Sequence, residues 1–216
     1  MAAHEVFQST FKTYSRLELT QPSDRSVAIA GIERRLASAL QCPVAFGVFG
    51  SGTHLHRSLL WRRAGRTLLR RIDDDSDHVP TWSWTAFDGP IDYLALPDAP
   101  TTEWDPSISL HLPGEGRPVD LSVPVLELVT EHIMRDSDCL ILDCQRTIDV
   151  RTLRCVVVAK QSPPKSNQGA DEIYHILVVV PTQAVEPHHQ YKRVGIASVR
   201  KEHVALQLGS VQARLV

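Results

Sequence analysis

The sequence predicts an α+β protein in which a helical N-terminal third is followed by a mostly antiparallel β-rich region, arranged as a sheet, a sandwich or a partial barrel. Apolar residues recur at helical spacing in the first 40 residues. After Ala64 the apolar segments become short and are separated by Pro, Gly and Asp. Eight of the fourteen prolines lie between Pro80 and Pro124, which favours edge strands and irregular connections over a parallel sheet. We expect residues 1–62 to pack on residues 63–216 as one integrated domain.

Three helices are predicted in the first segment. The first covers Val6–Leu19, and Pro22 separates it from the second, Arg25–Leu40. Residues 45–52 hold three glycines and two phenylalanines, which indicates a short buried strand or a tight loop. A third, short helix is expected at about His54–Trp61.

Ten strands are predicted in the second segment from runs rich in β-branched and aromatic residues. Residues 161–171 (QSPPKSNQGAD) are expected to form a flexible hairpin loop, and residues 73–77 (DDDSD) a charged one. The predicted strands are Thr67–Ile72, Thr81–Phe87, Ile91–Leu96, Ile108–Leu112, Val119–Val129, Cys139–Asp143, Arg154–Ala159, Tyr174–Val180, Tyr191–Val199 and Val204–Leu208.

Composition excludes several classes of protein. With 43% hydrophobic residues and a formal net charge of −2, the chain is not predicted to be disordered. No apolar run approaches the roughly 20 residues that a bilayer requires, and no secretory signal is visible, so we expect a cytoplasmic protein without membrane contact. The four cysteines form no CxxC pair, so we interpret them as reduced core residues and not zinc ligands.

Charge is unevenly distributed along the chain. Residues 1–72 carry a net +7, residues 73–143 a net −14 and residues 144–216 a net +5. An acidic middle between basic segments argues against a nucleic-acid face along the whole chain. The pattern either holds the segments together or leaves an acidic surface for a basic partner.

Four blocks of sequence occur in an order and spacing that resemble those of a known family. The blocks are residues 14–20 (YSRLELT) with Asp24-Arg25 and residues 28–31 (AIAG); residues 46–49 (FGVF) with Leu55 and residues 59–61 (LLW); residues 80–84 (PTWSW) with residues 88–91 (DGPI); and residues 191–196 (YKRVGI). They are similar to the region that follows the HET domain in fungal heterokaryon-incompatibility proteins. The resemblance extends from about Tyr14 to Ile196, and the doubled-tryptophan block is its most specific part.

The resemblance implies a C-terminal module with a regulatory or recognition role towards a protein partner. The HET domain itself, which carries the family's cell-death activity, has no counterpart in this sequence. That activity is therefore not carried over to this chain.

Most residues of these blocks have a structural interpretation. In a strand, Trp82 and Trp84 would share one face and anchor the sheet against the helices. The alternative is that they form a stacking pocket for a ligand. Arg193 and Gly195 are expected in a strand with a bulge or a close backbone approach.

One grouping of residues could carry acid–base chemistry. If the Trp82 segment packs on the third helix, His54, His56, Asp88 and Asp92 become candidate proton-transfer residues in a pocket beside the indoles. The substrate-binding residues of that pocket would be Trp82, Trp84, Phe49 and Tyr93.

The second functional reading is therefore a small enzyme that needs no cofactor. It would act as an isomerase, cyclase or dehydratase of fungal secondary metabolism on an apolar metabolite. His54 and His56 stand at positions that point apart on a helix, and no third ligand has a recognisable spacing, so no metal site is predicted. No Walker loop or dinucleotide fingerprint is present.

Overall fold

A computed structural model of the chain describes residues 3–21, 24–72, 79–97, 101–112, 119–129, 140–144, 148–163, 171–182 and 189–216. It is an α+β fold whose N-terminal part is helical. The predicted loop at residues 73–77, Cys139 and most of the predicted loop at residues 161–171 lie outside the described residues. No helix within the described ranges is long and apolar enough to cross a membrane.

The three predicted helices are confirmed, with shifted ends for two of them. They are α1 (Ala3–Ser15), α2 (Arg25–Leu40) and α3 (Gly52–Leu59). Phe7, Phe11 and Tyr14 recur at helical spacing in α1 and are buried. α2 ends where Gln41 adopts a left-handed conformation, and the Gln41 and Cys42 N–H groups donate to the last helical carbonyls.

Fourteen strands are described, and most are short. The N-terminal half contributes short two-stranded pairs, and the C-terminal half contributes the long strands of one eight-stranded sheet. The strands are β1 (Val44–Ala45), β2 (Val48–Phe49), β3 (Trp61–Arg63), β4 (Arg70–Arg71), β5 (Phe87–Asp88), β6 (Ile91–Tyr93), β7 (Thr102–Trp104), β8 (Ser109–His111), β9 (Asp120–Glu127), β10 (Leu140–Leu142), β11 (Arg154–Gln161), β12 (Ile173–Pro181), β13 (Gln190–Arg200) and β14 (Val211–Leu215).

Five strands of the large sheet close into a partial barrel. The order β9-β11-β12-β13-β14 returns to β9, and every neighbouring pair is antiparallel except β13 and β14. An odd number of strands requires at least one parallel contact when a sheet closes. That contact is confined to the start of β13 and the end of β14, where Gln190 opposes Arg214 and Tyr191 opposes Leu215.

At two places neighbouring barrel strands pair over only part of their length, and other strands of the sheet pair with the parts that remain. β9 and β11 pair only through Cys155 and its neighbours, and β7 and β8 continue the wall beside them on β11 and β9. On the other side β13 leaves β14 and pairs with β10 through residues 195–197. Gly195 permits that approach, because a Cβ atom there would lie 2.5 Å from the carbonyl oxygen of Ile141. The expected close approach and bulge are confirmed, since the β12–β13 register shifts at Val194.

The apolar side chains form three clusters. One fills the barrel and includes Trp82, a second lies under the helices and includes Trp84, and a third lies on the opposite side of β11–β13. β11 and β12 alternate between the first and third clusters, as expected of strands covered on both faces.

Two strand predictions are wrong. Residues 82–84 form a turn that leads into a 3-10 helix, Trp84–Ala86, and not an extended strand. Two hydrogen bonds of one side chain cause this turn: Ser83 Oγ accepts from Thr85 N–H at 3.0 Å and donates at 2.6 Å to the carbonyl of Phe46, which is distant in sequence. Residues 204–208 end in the 3-10 helix Leu206–Leu208, and the strand that closes the barrel is β14 instead.

Candidate functional site

Asp88, a predicted catalytic residue, joins three elements through ion pairs. Its Oδ1 accepts from Arg25 Nη2 at 2.8 Å and its Oδ2 from Arg70 Nη2 at 2.9 Å. Arg25 begins α2 and its side chain is only 1% exposed, whereas Arg70 is well exposed on β4. Asp88 therefore neutralises a buried cation and holds α2 against β4 and β5.

Asp92 lies on the exposed side of β6. Its Oδ1 is 2.7 Å from Lys12 Nζ and also accepts from the backbone N–H of Tyr93. Partial burial alone raises the pKa of Asp92, but the hydrogen bonds from Lys12 and Tyr93 and the charges of Lys12 and Arg62 lower it below its usual range. Asp92 lines an open cleft of about 310 Å³ beside α1. The described residues that line this cleft do not include Trp82 or Trp84. An ionised, paired carboxylate is poorly matched to proton transfer near neutral pH.

His54 and His56 point in different directions from α3, as the sequence predicts for two helical positions two residues apart. His54 contacts the rings of Phe7 and Phe49, with centroids 6.1 and 6.2 Å away. Burial and the positive charge of Arg57 lower the pKa of His54.

His56 is held between two backbone carbonyls. Its Nδ1 lies 3.0 Å from the Gly52 oxygen and its Nε2 lies 2.6 Å from the Asp105 oxygen, and its ring packs on Trp104. Both ring nitrogens are therefore engaged, Nδ1 within α3 and Nε2 in joining α3 to the segment after β7. No hydrogen bond or ion pair connects any two of the four predicted catalytic residues in the described part of the chain.

The two indoles do not share a face. Both side chains are fully buried, but Trp82 lies in the barrel cluster and Trp84 in the cluster under the helices. Trp82 Nε1 donates to the Leu215 carbonyl at 3.1 Å, which ties it to β14. Trp84 packs against Phe11, and its Nε1 has no hydrogen-bond partner within the described ranges.

Phe49 and Tyr93 complete the predicted substrate-binding set, and both are buried. Phe49 stacks with Phe7 and Phe11 at centroid distances of 4.7 and 6.3 Å. The Tyr93 hydroxyl is buried and has no hydrogen-bond partner among the residues that the structure describes, and burial raises its pKa. All four aromatic residues therefore serve as packing residues, and the catalytic and binding roles proposed for the eight residues stay predictions.

A buried ion pair that sequence reasoning missed lies at the centre of the molecule. Arg193 on β13 makes a bidentate pair with Asp143, with Nε–Oδ2 at 3.0 Å and Nη2–Oδ1 at 3.2 Å, and neither side chain is exposed. Burial raises the pKa of Asp143, and the charge and hydrogen bonds of Arg193 oppose that rise. The only sequence signal was that both residues fall in or beside predicted strands, one of them within the block at residues 191–196.

The remaining donors of Arg193 reach the helical part of the chain. Nη1 donates to the Leu59 carbonyl at 2.8 Å and Nη2 to the Trp61 carbonyl at 2.6 Å. The guanidinium also lies over the Trp61 ring, 3.4 Å from its centroid. The backbone N–H of Arg193 donates to Thr81 Oγ1. Through its side chain and its backbone N–H, Arg193 thus connects β13, the end of α3 and the tryptophan block.

Because Asp88 and Asp92 differ in the burial of their cation partners, we expect their asparagine variants to lose different amounts of free energy of unfolding. Asp88→Asn leaves the buried Arg25 cation without its anion, and we expect a loss of about 1–3 kcal/mol in the free energy of unfolding. Asp92→Asn removes a half-exposed pair and should cost less than about 1 kcal/mol. Urea denaturation of both variants measures the difference, and equal costs would contradict this assignment of Asp88.

Comparisons with known proteins do not place the chain in a family. No family model, no curated protein and no solved structure matches it. In the described residues, no group of three His, Cys, Asp or Glu side chains is arranged to hold a metal ion.

Proposed function

We propose that the chain is a recognition module similar to the C-terminal region of heterokaryon-incompatibility proteins, acting on a protein partner in the cytoplasm and not on a substrate. One observation carries this proposal. The residues suited to acid–base chemistry are used to hold elements together: Asp88 pairs with Arg25, Asp92 pairs with Lys12, and His56 bridges two carbonyls.

The sequence blocks that carry the resemblance support a scaffold role. Arg193 contacts the carbonyls of Leu59 and Trp61 and receives support from Thr81, so residues of three blocks meet at one buried junction. Gly47, from the same block as Trp61, has φ +75° and lies against the Trp84 indole. These residues explain how the helices attach to the barrel. Because they are used for packing, we assign partner binding to the exposed surface.

The enzyme alternative has less support. It requires a pocket beside Trp82 and Trp84, but both indoles are fully buried. A Cβ atom on Gly47 would lie 2.2 Å from Trp84 Nε1, so even a methyl group does not fit at that side of the ring.

To test this proposal, a separately produced HET domain from the family that the sequence resembles is titrated into this protein. Calorimetry measures the binding, and NMR of the isotope-labelled protein locates it. We expect saturable binding with shift changes on surface residues. Among the described residues, the most exposed large apolar side chains are Val27 on α2 (76%) and Leu208 before β14 (70%), and they lie on different elements. Val27→Asp and Leu208→Asp therefore serve as controls for each other, since a partner on one face is weakened by only one of them.

A parallel screen of apolar metabolites by ligand-detected NMR tests the enzyme alternative. Absence of HET-domain binding would contradict the proposed partner. Saturable binding of a metabolite, with turnover that is lost in folded His54→Ala or Asp92→Asn variants, would replace the proposal by the enzyme reading.

A further inference from the structure

Glu33 is an acidic residue in the buried face of α2. That face consists of Arg25, Ile29 and Glu33, which are spaced four residues apart. Arg25 has a counter-ion in Asp88, whereas Glu33 forms no ion pair with any described residue. Glu33 is 8% exposed and lies at the cluster under the helices, where aromatic side chains predominate. A carboxyl group is rarely buried in such a position without a cation.

The hydrogen bonds of the Glu33 carboxyl group are incomplete. It accepts from the backbone N–H of Gly47, and its buried Oε1 atom has no hydrogen-bond partner among the described residues. Gly47 also lies against Trp84, whose buried Nε1 has no acceptor in the same described part of the chain. A buried acceptor and a buried donor thus flank the same glycine without bonding to each other, so this junction is polar but only partly satisfied.

The groups that face Glu33 from neighbouring elements provide little compensation for a negative charge. Tyr14 on α1 and Tyr93 on β6 are close enough that the charge of Glu33 raises the pKa of each. Arg25 on the same helix is committed to Asp88, and Arg193 beyond Tyr93 is committed to Asp143. An ionised Glu33 would therefore rely on one backbone N–H.

We propose that protonation of Glu33 controls the docking of α2: the neutral carboxyl group lets α2 pack on the aromatic cluster, and ionisation loosens the helix and uncovers the Trp84 side of that cluster. The element that moves is α2, because its buried face carries the uncompensated Glu33 carboxyl group. We expect the barrel to be unaffected, because α2 packs mainly on α1, β1 and the 3-10 helix Trp84–Ala86.

The direction and the pH range of the effect follow from burial. Burial raises the pKa of Glu33 to about 7 from an ordinary 4.5, and the Gly47 N–H opposes only part of that rise. Between these two pH values the undocked helix has lost its proton while the docked helix keeps it. Docking is therefore strongest in acid and is weakened as the pH rises through 7. His175, whose pKa burial lowers to about 4, has the opposite influence on overall stability, so the variant must isolate Glu33.

Hydrogen exchange of the α2 amides, corrected for the intrinsic rate, tests this inference at pH 5.5 and pH 8. In the wild type we expect α2 protection to fall on the order of 20-fold. Glu33→Gln keeps the shape and removes the charge, so its α2 protection should be the same at both pH values. Glu18→Gln, an exposed glutamate outside the helices, is the matched control and should behave as wild type.

Two outcomes would overturn the switch. One is that α2 protection changes with pH in the same way in Glu33→Gln as in the wild type, or does not change with pH in the wild type. The wild-type measurement alone is enough to detect the second of these results. The other is an equal loss of protection in α2 and in β12, since that would be a change in global stability.

Discussion

Replacing Arg193 by methionine is expected to lower the free energy of unfolding by about 3–5 kcal/mol, or to prevent folding. The variant leaves Asp143 as a fully buried carboxylate without its bidentate partner. It also leaves the carbonyls of Leu59 and Trp61 without donors, and these lie where the helical part of the chain meets the barrel. The loss therefore combines an unpaired charge with two unsatisfied buried acceptors.

Urea denaturation followed by far-ultraviolet circular dichroism measures this loss. Arg154→Met is the matched control, because Arg154 forms an exposed ion pair with Glu127 at 3.0 Å and should cost less than about 1 kcal/mol. If Arg193→Met does not fold, the double variant Arg193→Met with Asp143→Leu should restore folding, since it removes the unpaired charge. Equal stabilities of Arg193→Met and Arg154→Met would show that the pair does not stabilise the junction.

Truncation of either core indole should also be costly. Trp82→Ala and Trp84→Ala are each expected to lose about 3–5 kcal/mol, because both side chains are fully buried and a cavity would remain. A variant that melts like the wild type would show that its indole is exposed and free to bind a ligand. Thermal denaturation followed by circular dichroism provides the measurement.

Replacement by phenylalanine separates the two indoles. Trp82→Phe removes the donor to the Leu215 carbonyl on β14, whereas Trp84→Phe removes an N–H that has no acceptor in the described part of the chain. Both variants lose a similar volume, so the hydrogen bond should make Trp82→Phe more destabilising by about 1–3 kcal/mol. The same cost in both would contradict the difference in their hydrogen bonding.

The helices and the long strands were predictable because their signals are local. Phe7, Phe11 and Tyr14 recur at the helical spacing of α1, and Pro22 separates α1 from α2. Runs of β-branched residues identified β11 and β12, which are buried on both faces. Each of these patterns depends only on neighbours in sequence.

Other elements were missed because their cause is not local. β14 is short and mixed in polarity, and it is a strand because β9 pairs with it along its whole length. The Trp82–Trp84 segment has a strand-like composition, but Ser83 hydrogen bonds to Phe46 and Thr85 turn it into a 3-10 helix. Intrinsic preference for strand was overridden there by side-chain hydrogen bonds.

The sequence by itself determined the three helices and the long strands β9, β11, β12 and β13, and it placed Arg193 in one of them. Tertiary structure alone decided which charges meet: Asp143 with Arg193, Asp88 with Arg25, and Glu33 with no cation among the described residues. The physical reason is the distance along the chain over which each kind of interaction acts. Periodicity and turn chemistry act over a few residues, whereas the role of a carboxyl group depends on the burial and the partners that distant parts of the chain bring to it.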